Sequence, residues 1–92
     1  MNKNLNFGQA IEALKQGQRV ARQGWNGKGM YLLLFKGQED IAKAFGYGYG
    51  EVLGEFSFTD TIAMKTAQNT MVLGWLASQT DILAEDWIIL ND

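Results

Sequence analysis

The chain contains neither cysteine nor histidine. Without a thiol or an imidazole there is no thiolate nucleophile, no imidazole base, no ordinary zinc site and no disulfide. Carboxylate chemistry remains open. No apolar run approaches the roughly 18 residues that cross a bilayer, and the opening Met1-Asn2-Lys3-Asn4 lacks the apolar core of a secretory signal. An intracellular setting fits. There is no repeat, linker or low-complexity tract, so residues 1–92 read as one domain. A domain of this size buries only about 60–70% of its unfolded surface, which makes self-association a reasonable expectation. Cations are scarce in the second half: residues 46–92 hold one Lys or Arg against seven acids, whereas residues 1–45 hold seven against three. That asymmetry favours a small anion-binding patch, or head-to-tail contact between subunits, over an extended phosphate-backbone surface. Duplex nucleic acid is not an expected partner, and no cofactor or metal is implied.

The hydrophobic pattern organises the rest. Phe7, Ala10, Ile11 and Leu14 recur at helical spacing, with Asn6 as N-cap, Gln9 as its capping-box partner and Gly17 as the stop. Residues 18–22 and 30–36 read as strands on either side of a glycine-rich loop at 23–29, too long for a tight hairpin. The run Met30-Tyr31-Leu32-Leu33-Leu34-Phe35 is apolar on both faces, so its strand should lie centrally or have its second face covered by the helix or another subunit. Residues 37–57 are irregular and glycine-rich, a mobile excursion with a short helical turn at 39–45. Residues 61–66 and 71–76 predict a hairpin around 67–70, residues 78–84 one or two helical turns, and residues 87–90 a last strand. The fold class is α+β: a small antiparallel sheet with the N-terminal helix on one face and a short helical turn near 78–84.

Two stretches could carry chemistry. In Gly24-Trp25-Asn26-Gly27-Lys28-Gly29-Met30, Trp25 offers a stacking face, Asn26 an amide that donates and accepts, and Lys28 a charge for phosphate. The alternative is a structural loop whose Trp25 plugs the core. Arg19 and Arg22 are three apart and face opposite sides of a strand; Arg22, nearer the loop, is the one expected to join Lys28. In the second stretch Ser78, Gln79, Thr80 and Asp81 are consecutive polar residues at a helix start, suited to a ribose hydroxyl or a base edge. Alternatively Ser78 and Asp81 only cap the turn, and Trp75 and Trp87 are core. Asp81, Glu85 and Asp86 read either as paired carboxylates for acid–base work or as a solvated acidic turn. Lys65, pointing away from Ile62 and Met64, either neutralises a phosphate or pairs with a nearby acid. Phe45-Gly46-Tyr47-Gly48-Tyr49-Gly50 matches neither a dinucleotide fingerprint nor a phosphate loop and reads as an aromatic lid or a surface loop.

These two stretches, with Ile62-Ala63-Met64-Lys65-Thr66-Ala67 between them and the opening Asn6-Phe7-Gly8-Gln9-Ala10-Ile11-Glu12-Ala13-Leu14-Lys15-Gln16-Gly17, resemble the second family of Thoeris anti-defence proteins. The resemblance covers nearly the whole length except about residues 37–60, and residues 75–87 are its most specific part. It implies a small phage or prophage protein acting in the cytoplasm of the bacterial host. Such a protein binds, without cleaving, the cyclic ADP-ribose signal of the glycocyclic type made by a TIR-domain enzyme, and so blocks Thoeris immunity. It also implies a homo-oligomer, a tetramer built from dimers; some relatives hold cyclic dinucleotides in a separate pocket. By motif position the ligand contacts are Trp25, Asn26, Lys28, Ser78, Gln79 and Asp81, to which the reading of the residues adds Arg22 and Lys65. Two departures stand out: Gly74 where the family often has a proline before the tryptophan, and Phe35-Lys36-Gly37 where a proline usually follows the apolar strand.

A ligand of this kind has on the order of 35 non-hydrogen atoms, which at roughly −0.3 kcal/mol each gives about −10 kcal/mol. A working sponge needs about −12 kcal/mol. Only a nearly enclosed, preorganised site closes that gap, so binding sites between subunits are expected. The competing expectations are sequestration of cyclic dinucleotides from other signalling defences, a nucleotide hydrolase using Asp81 and Glu85, and a structural or protein-interaction module with no small ligand.

Overall fold

The computed structural model describes residues 2–25, 27–37 and 58–90. Asn26, the helical turn expected at 39–45 and the aromatic segment 45–50 lie outside the described residues. The elements are α1 (Phe7–Lys15), β1 (Arg19–Arg22), β2 (Tyr31–Phe35), β3 (Thr61–Lys65), β4 (Met71–Leu73), α2 (Gln79–Leu83) and β5 (Trp87–Leu90). Five strands form one antiparallel sheet in the order β4-β3-β2-β1-β5. The expected α+β class holds, and the run apolar on both faces is the central strand, β2.

Each element forms for a local reason and is then fixed by burial. Helix α1 starts on a capping box in which the Asn6 side chain accepts from the Gln9 amide and the Gln9 side chain accepts from the Asn6 amide. It ends where Gly17 adopts φ 86°, a left-handed conformation that costs glycine little. Its inner stripe of Ala10, Ala13 and Leu14 packs on Val20 and Leu32 of the sheet and on Trp87. Register places Val20, Leu32 and Met64 on that covered face, with Ile89 beside Val20. Trp87 is fully buried. An aromatic of about 200 Å² removed from water at about 25 cal/mol per Å² contributes an upper limit of about 5 kcal/mol, a large share of a small domain's stability.

The β3–β4 hairpin is tighter than expected. Thr66 donates its amide to the Thr70 carbonyl at 2.8 Å, which leaves a three-residue loop, and Asn69 at φ 64° supplies the left-handed position such a loop needs. Strand β4 ends at Leu73 and not at residue 76. The cause is a bulge: Gly74, at φ 95°, and Trp75 both donate to the Ile62 carbonyl, at 3.0 and 2.8 Å. The extra residue turns Trp75 inward onto the core cluster.

The two sheet edges differ. Strand β5 is lined by the N-terminal segment, since Leu5 and Trp87 exchange amide-to-carbonyl bonds at 2.9 and 3.1 Å and Ile89 donates to Asn2 at 2.7 Å. Among the described residues β4 has no partner on its outer side, and Met71, Val72 and Leu73 are all exposed. Between β2 and β3, Gly37 is buried directly against Phe58: a side chain at 37 would collide with the Phe58 backbone, and the Gly37 amide donates to Asp60 Oδ1 at 2.9 Å. No helix among the described residues is long and apolar enough to cross a membrane.

Candidate functional site

The two informative stretches are far apart in sequence and adjacent in space. Because β1 and β5 are neighbours, Arg22 sits opposite Trp87 in the ladder. The loop that follows β1 therefore meets α2 and the turn that precedes β5. Gln23 donates its amide to the Asp86 carbonyl at 3.1 Å, and Gly24 donates to Asp86 Oδ2 at 2.8 Å. The Trp25 loop therefore lies against α2 and the turn at Asp86 within one chain.

Three indoles form the wall of this region. Trp25 and Trp87 lie 5.5 Å apart at 79°, Trp75 and Trp87 6.3 Å apart at 83°, and Trp25 and Trp75 6.3 Å apart at 63°. These are edge-to-face contacts, the arrangement ring quadrupoles favour. Phe7 of α1 adds a tilted contact to Trp87 at 5.6 Å. The three tryptophans divide into two roles. Trp87 is core, whereas Trp25 and Trp75 are partly exposed and can each present a face.

Beside the indoles lies a polar frame built on Asp81. As the third residue of a five-residue helix it closes a capping box with Ser78: its Oδ2 accepts from the Ser78 amide at 3.2 Å and from Ser78 Oγ at 2.9 Å, and its own amide donates to Ser78 Oγ at 3.1 Å. Its other oxygen, Oδ1, accepts from Arg22 Nη1 at 2.8 Å and from the Trp25 indole Nε1 at 3.3 Å. The Asp81 carbonyl accepts from the Trp87 indole at 3.0 Å. Arg22 also donates through Nε to Asp86 Oδ1 at 2.8 Å. The Arg22 and Asp81 side chains are only 15% and 14% exposed, so this ion pair is better shielded than a surface one.

The charges respond accordingly. Burial pushes the Asp81 carboxyl up, but hydrogen bonds from Arg22, Ser78 and Trp25 outweigh it and hold the group below the ordinary carboxylate value. For Asp86 the hydrogen bond from Arg22 dominates, with a smaller opposing effect of burial, and the result is again downward. Arg22 is raised by its bonds to Asp86 and Asp81. Two ionised carboxylates and one guanidinium supply acceptors and a rigid brace, not a proton donor for acid catalysis near neutrality. No group of His, Cys, Asp or Glu among the described residues is arranged to hold a metal ion.

The sequence-derived residues separate into three sets. Arg22, Trp25, Ser78 and Asp81 meet in one bonded network. Gln79 opens α2 and Lys28 stands on the loop; both are exposed, and Lys28 has no ion-pair partner among the described residues. Lys65 faces the other side of the sheet, where its Nζ donates to the Gly29 carbonyl at 3.1 Å and lies 5.6 Å from the Tyr31 ring. Asn26 lies outside the described residues. Sequence reasoning missed Asp86 as a member of the frame and Phe7 as an aromatic neighbour. Trp75 it treated as possible core, and it is in contact with both other indoles. The one local signal for Asp86 is an acid directly before the first residue of a strand; that the strand pairs with β1 is a long-range fact. A separate groove of about 430 Å³, between α1 and β5, is lined by residues including Leu5, Gln9, Ala13 and Ile89 and shares none of these groups.

Comparison with known proteins covers the residues of this arrangement. The Thoeris anti-defense 2-like domain matches residues 5–90. A protein named Thoeris anti-defense 2, from Bacillus phage SP01, is 48% identical over 91 residues, spanning 99% of this chain and 100% of the relative. The matched span takes in the indole wall, the Arg22 frame and both helices, so the chain belongs to the Thoeris anti-defense 2-like family, with a phage anti-defence role against Thoeris.

Proposed function

We propose that this protein acts as a sponge: it binds a cyclic ADP-ribose signal of the glycocyclic type, made by a TIR-domain enzyme of the bacterial host, and holds it intact in the host cytoplasm. The observation that carries this reading is the pair of partly exposed indoles, Trp25 and Trp75, braced edge to face beside a charge-paired frame. A flat base needs a rigid aromatic face, and stacking on one is worth about 1–3 kcal/mol per base. Trp25, Asn26, Lys28 and Gln79 are the proposed direct contacts, with Lys28 meeting a phosphate. Arg22, Ser78 and Asp81 form the frame that holds them. Lys65 braces the far side of the loop through the Gly29 carbonyl.

The protein is not an enzyme in this reading. Asp81 is ionised and its oxygens are engaged with Arg22, Trp25 and Ser78, so it has no proton to give and little free acceptor capacity at a bound nucleotide. The walls of one chain supply an aromatic surface and one edge of charge. Enclosure to near-nanomolar affinity then comes from a second copy, and we propose a homo-oligomer, a tetramer built from dimers, with the sites between subunits.

Calorimetry of the purified protein against cyclic ADP-ribose isomers and cyclic dinucleotides tests the proposal. Tight binding of an isomer, with the ligand recovered chemically unchanged after heat denaturation, is the expected result. Trp25→Ala should weaken that binding by about 10- to 100-fold. No heat with any of these ligands overturns the reading, and cleavage of the recovered ligand converts it to the hydrolase alternative.

A further inference from the structure

The Trp25 indole sits on a loop flanked by Gly24, Gly27 and Gly29, so its orientation needs a tether. Its one hydrogen bond among the described residues is to Asp81 Oδ1, at 3.3 Å. That oxygen is held from the other side by Arg22 Nη1 at 2.8 Å. The remaining Asp81 oxygen is held by the amide and hydroxyl of Ser78, at 3.2 and 2.9 Å. Four donors on one carboxylate match its acceptor capacity of about four. Asp81 therefore has little left to offer a ligand and much to offer Trp25. Arg22 is forked between Asp81 and Asp86, with one bond from each of its three guanidinium nitrogens.

We infer that Arg22 is a positioning residue: by fixing Asp81 it sets the plane of the Trp25 indole, and it controls ligand affinity without touching the ligand. The inference rests on the sequestration reading for its ligand, but the tether itself is a property of the free protein. A side chain ordered before binding spares the ligand the cost of ordering it. The guanidinium matters here for its geometry as well as its charge, because its planar fork meets two carboxylates in fixed directions where an ammonium acts as a compact, rotatable point charge.

The test has a spectroscopic arm and a binding arm. In the free protein, the Trp25 indole N–H resonance in a proton–nitrogen spectrum should shift toward the solvent-exposed position in Arg22→Met and exchange faster with water. The backbone amides of Gly17 and Gly74, bonded to the Leu14 and Ile62 carbonyls away from the knot, should hold their positions and report an intact fold. Affinity for the cyclic ADP-ribose isomer that the wild type binds should fall by about tenfold in Arg22→Met, with partial recovery in Arg22→Lys. Trp25→Phe, which keeps a stacking face and every Arg22 bond but loses the indole N–H, guards against misfolding. It should lose affinity similarly, and adding Arg22→Met to it should weaken binding little further, because both act through one tether. An unmoved Trp25 signal in Arg22→Met, or losses that simply add in the double variant, overturns the tether. A wild-type protein that binds no cyclic ADP-ribose isomer overturns the sequestration reading and the affinity claim with it. The spectrum of the free protein still decides the tether, so the two failures are distinguishable.

Discussion

Helices α1 and α2 open with the same device and put it to different uses. Each has a capping box: Asn6 with Gln9 in α1, Ser78 with Asp81 in α2. In α1 the box is exposed and local, and the helix is held by the buried stripe of Ala10, Ala13 and Leu14. In α2 no residue is buried, Ile82 and Leu83 are exposed, and the helix is only five residues long. So short a helix is not stable by propensity. What holds it is the third residue of its box, whose second oxygen and backbone carbonyl reach Arg22, Trp25 and Trp87. A carboxylate in that position can serve the cap and a tertiary partner at once, whereas the Gln9 side chain bonds only Asn6 among the described residues. One helix is anchored by apolar burial, the other by a charged knot, and variants can separate the two.

The largest effect is expected on the apolar side. Leu14→Ala, at a position 2% exposed, should lower unfolding free energy by about 2–5 kcal/mol in a denaturant titration. The next should come from the knot: Asp81→Ala strips Arg22 of one partner, Trp25 of its acceptor and Ser78 of its box, a loss of about 2 kcal/mol, between the values for exposed and buried pairs. The matching change Gln9→Ala should cost less, about 0.5–1 kcal/mol, as for an ordinary cap. Equal losses from Asp81→Ala and Gln9→Ala would erase the distinction between the two helices.

Acid gives a reversible version of the same contrast. Asp81 and Asp86 both titrate below the ordinary carboxylate value of 3.8 when folded. Their stabilisation is therefore fully present above that value and is lost as pH falls through their lowered folded values. Stability should decline as pH falls below 3.8, and Arg22→Met, which removes the cause of much of the lowering, should flatten that part of the curve. A wild-type profile flat through this range breaks the argument. The smallest effect is expected at the rim of α2: Leu83→Ser, 77% exposed, should change stability by less than about 0.5 kcal/mol.

Much of the fold could be read from the chain because the determining signals were local. The Asn6 and Ser78 caps, the Gly17 stop and the strand at residues 87–90 all depend on a few adjacent residues. The end of β4 was missed because Gly74 was read within an apolar run, whereas the bulge depends on the Ile62 carbonyl of the neighbouring strand. The site was legible as a list of residue types and not as a bonding pattern. Arg22 was chosen over Arg19 because it is closer to the loop, and it does reach the loop. Its partners, Asp81 and Asp86, are brought to it by the β1–β5 pairing, a long-range contact that spacing along the chain cannot reveal. Likewise Lys65 pointed away from the helix-covered side, as alternation requires, and so is parted from the indole wall by the thickness of the sheet.

Gly37 and Phe58 lie against each other, so the polypeptide departs from β2 and rejoins at β3 through a single gap. The register of β2 with β3, Phe35 opposite Thr61 through Tyr31 opposite Lys65, is therefore fixed right up to that junction. Any side chain at position 37 would wedge the doorway open.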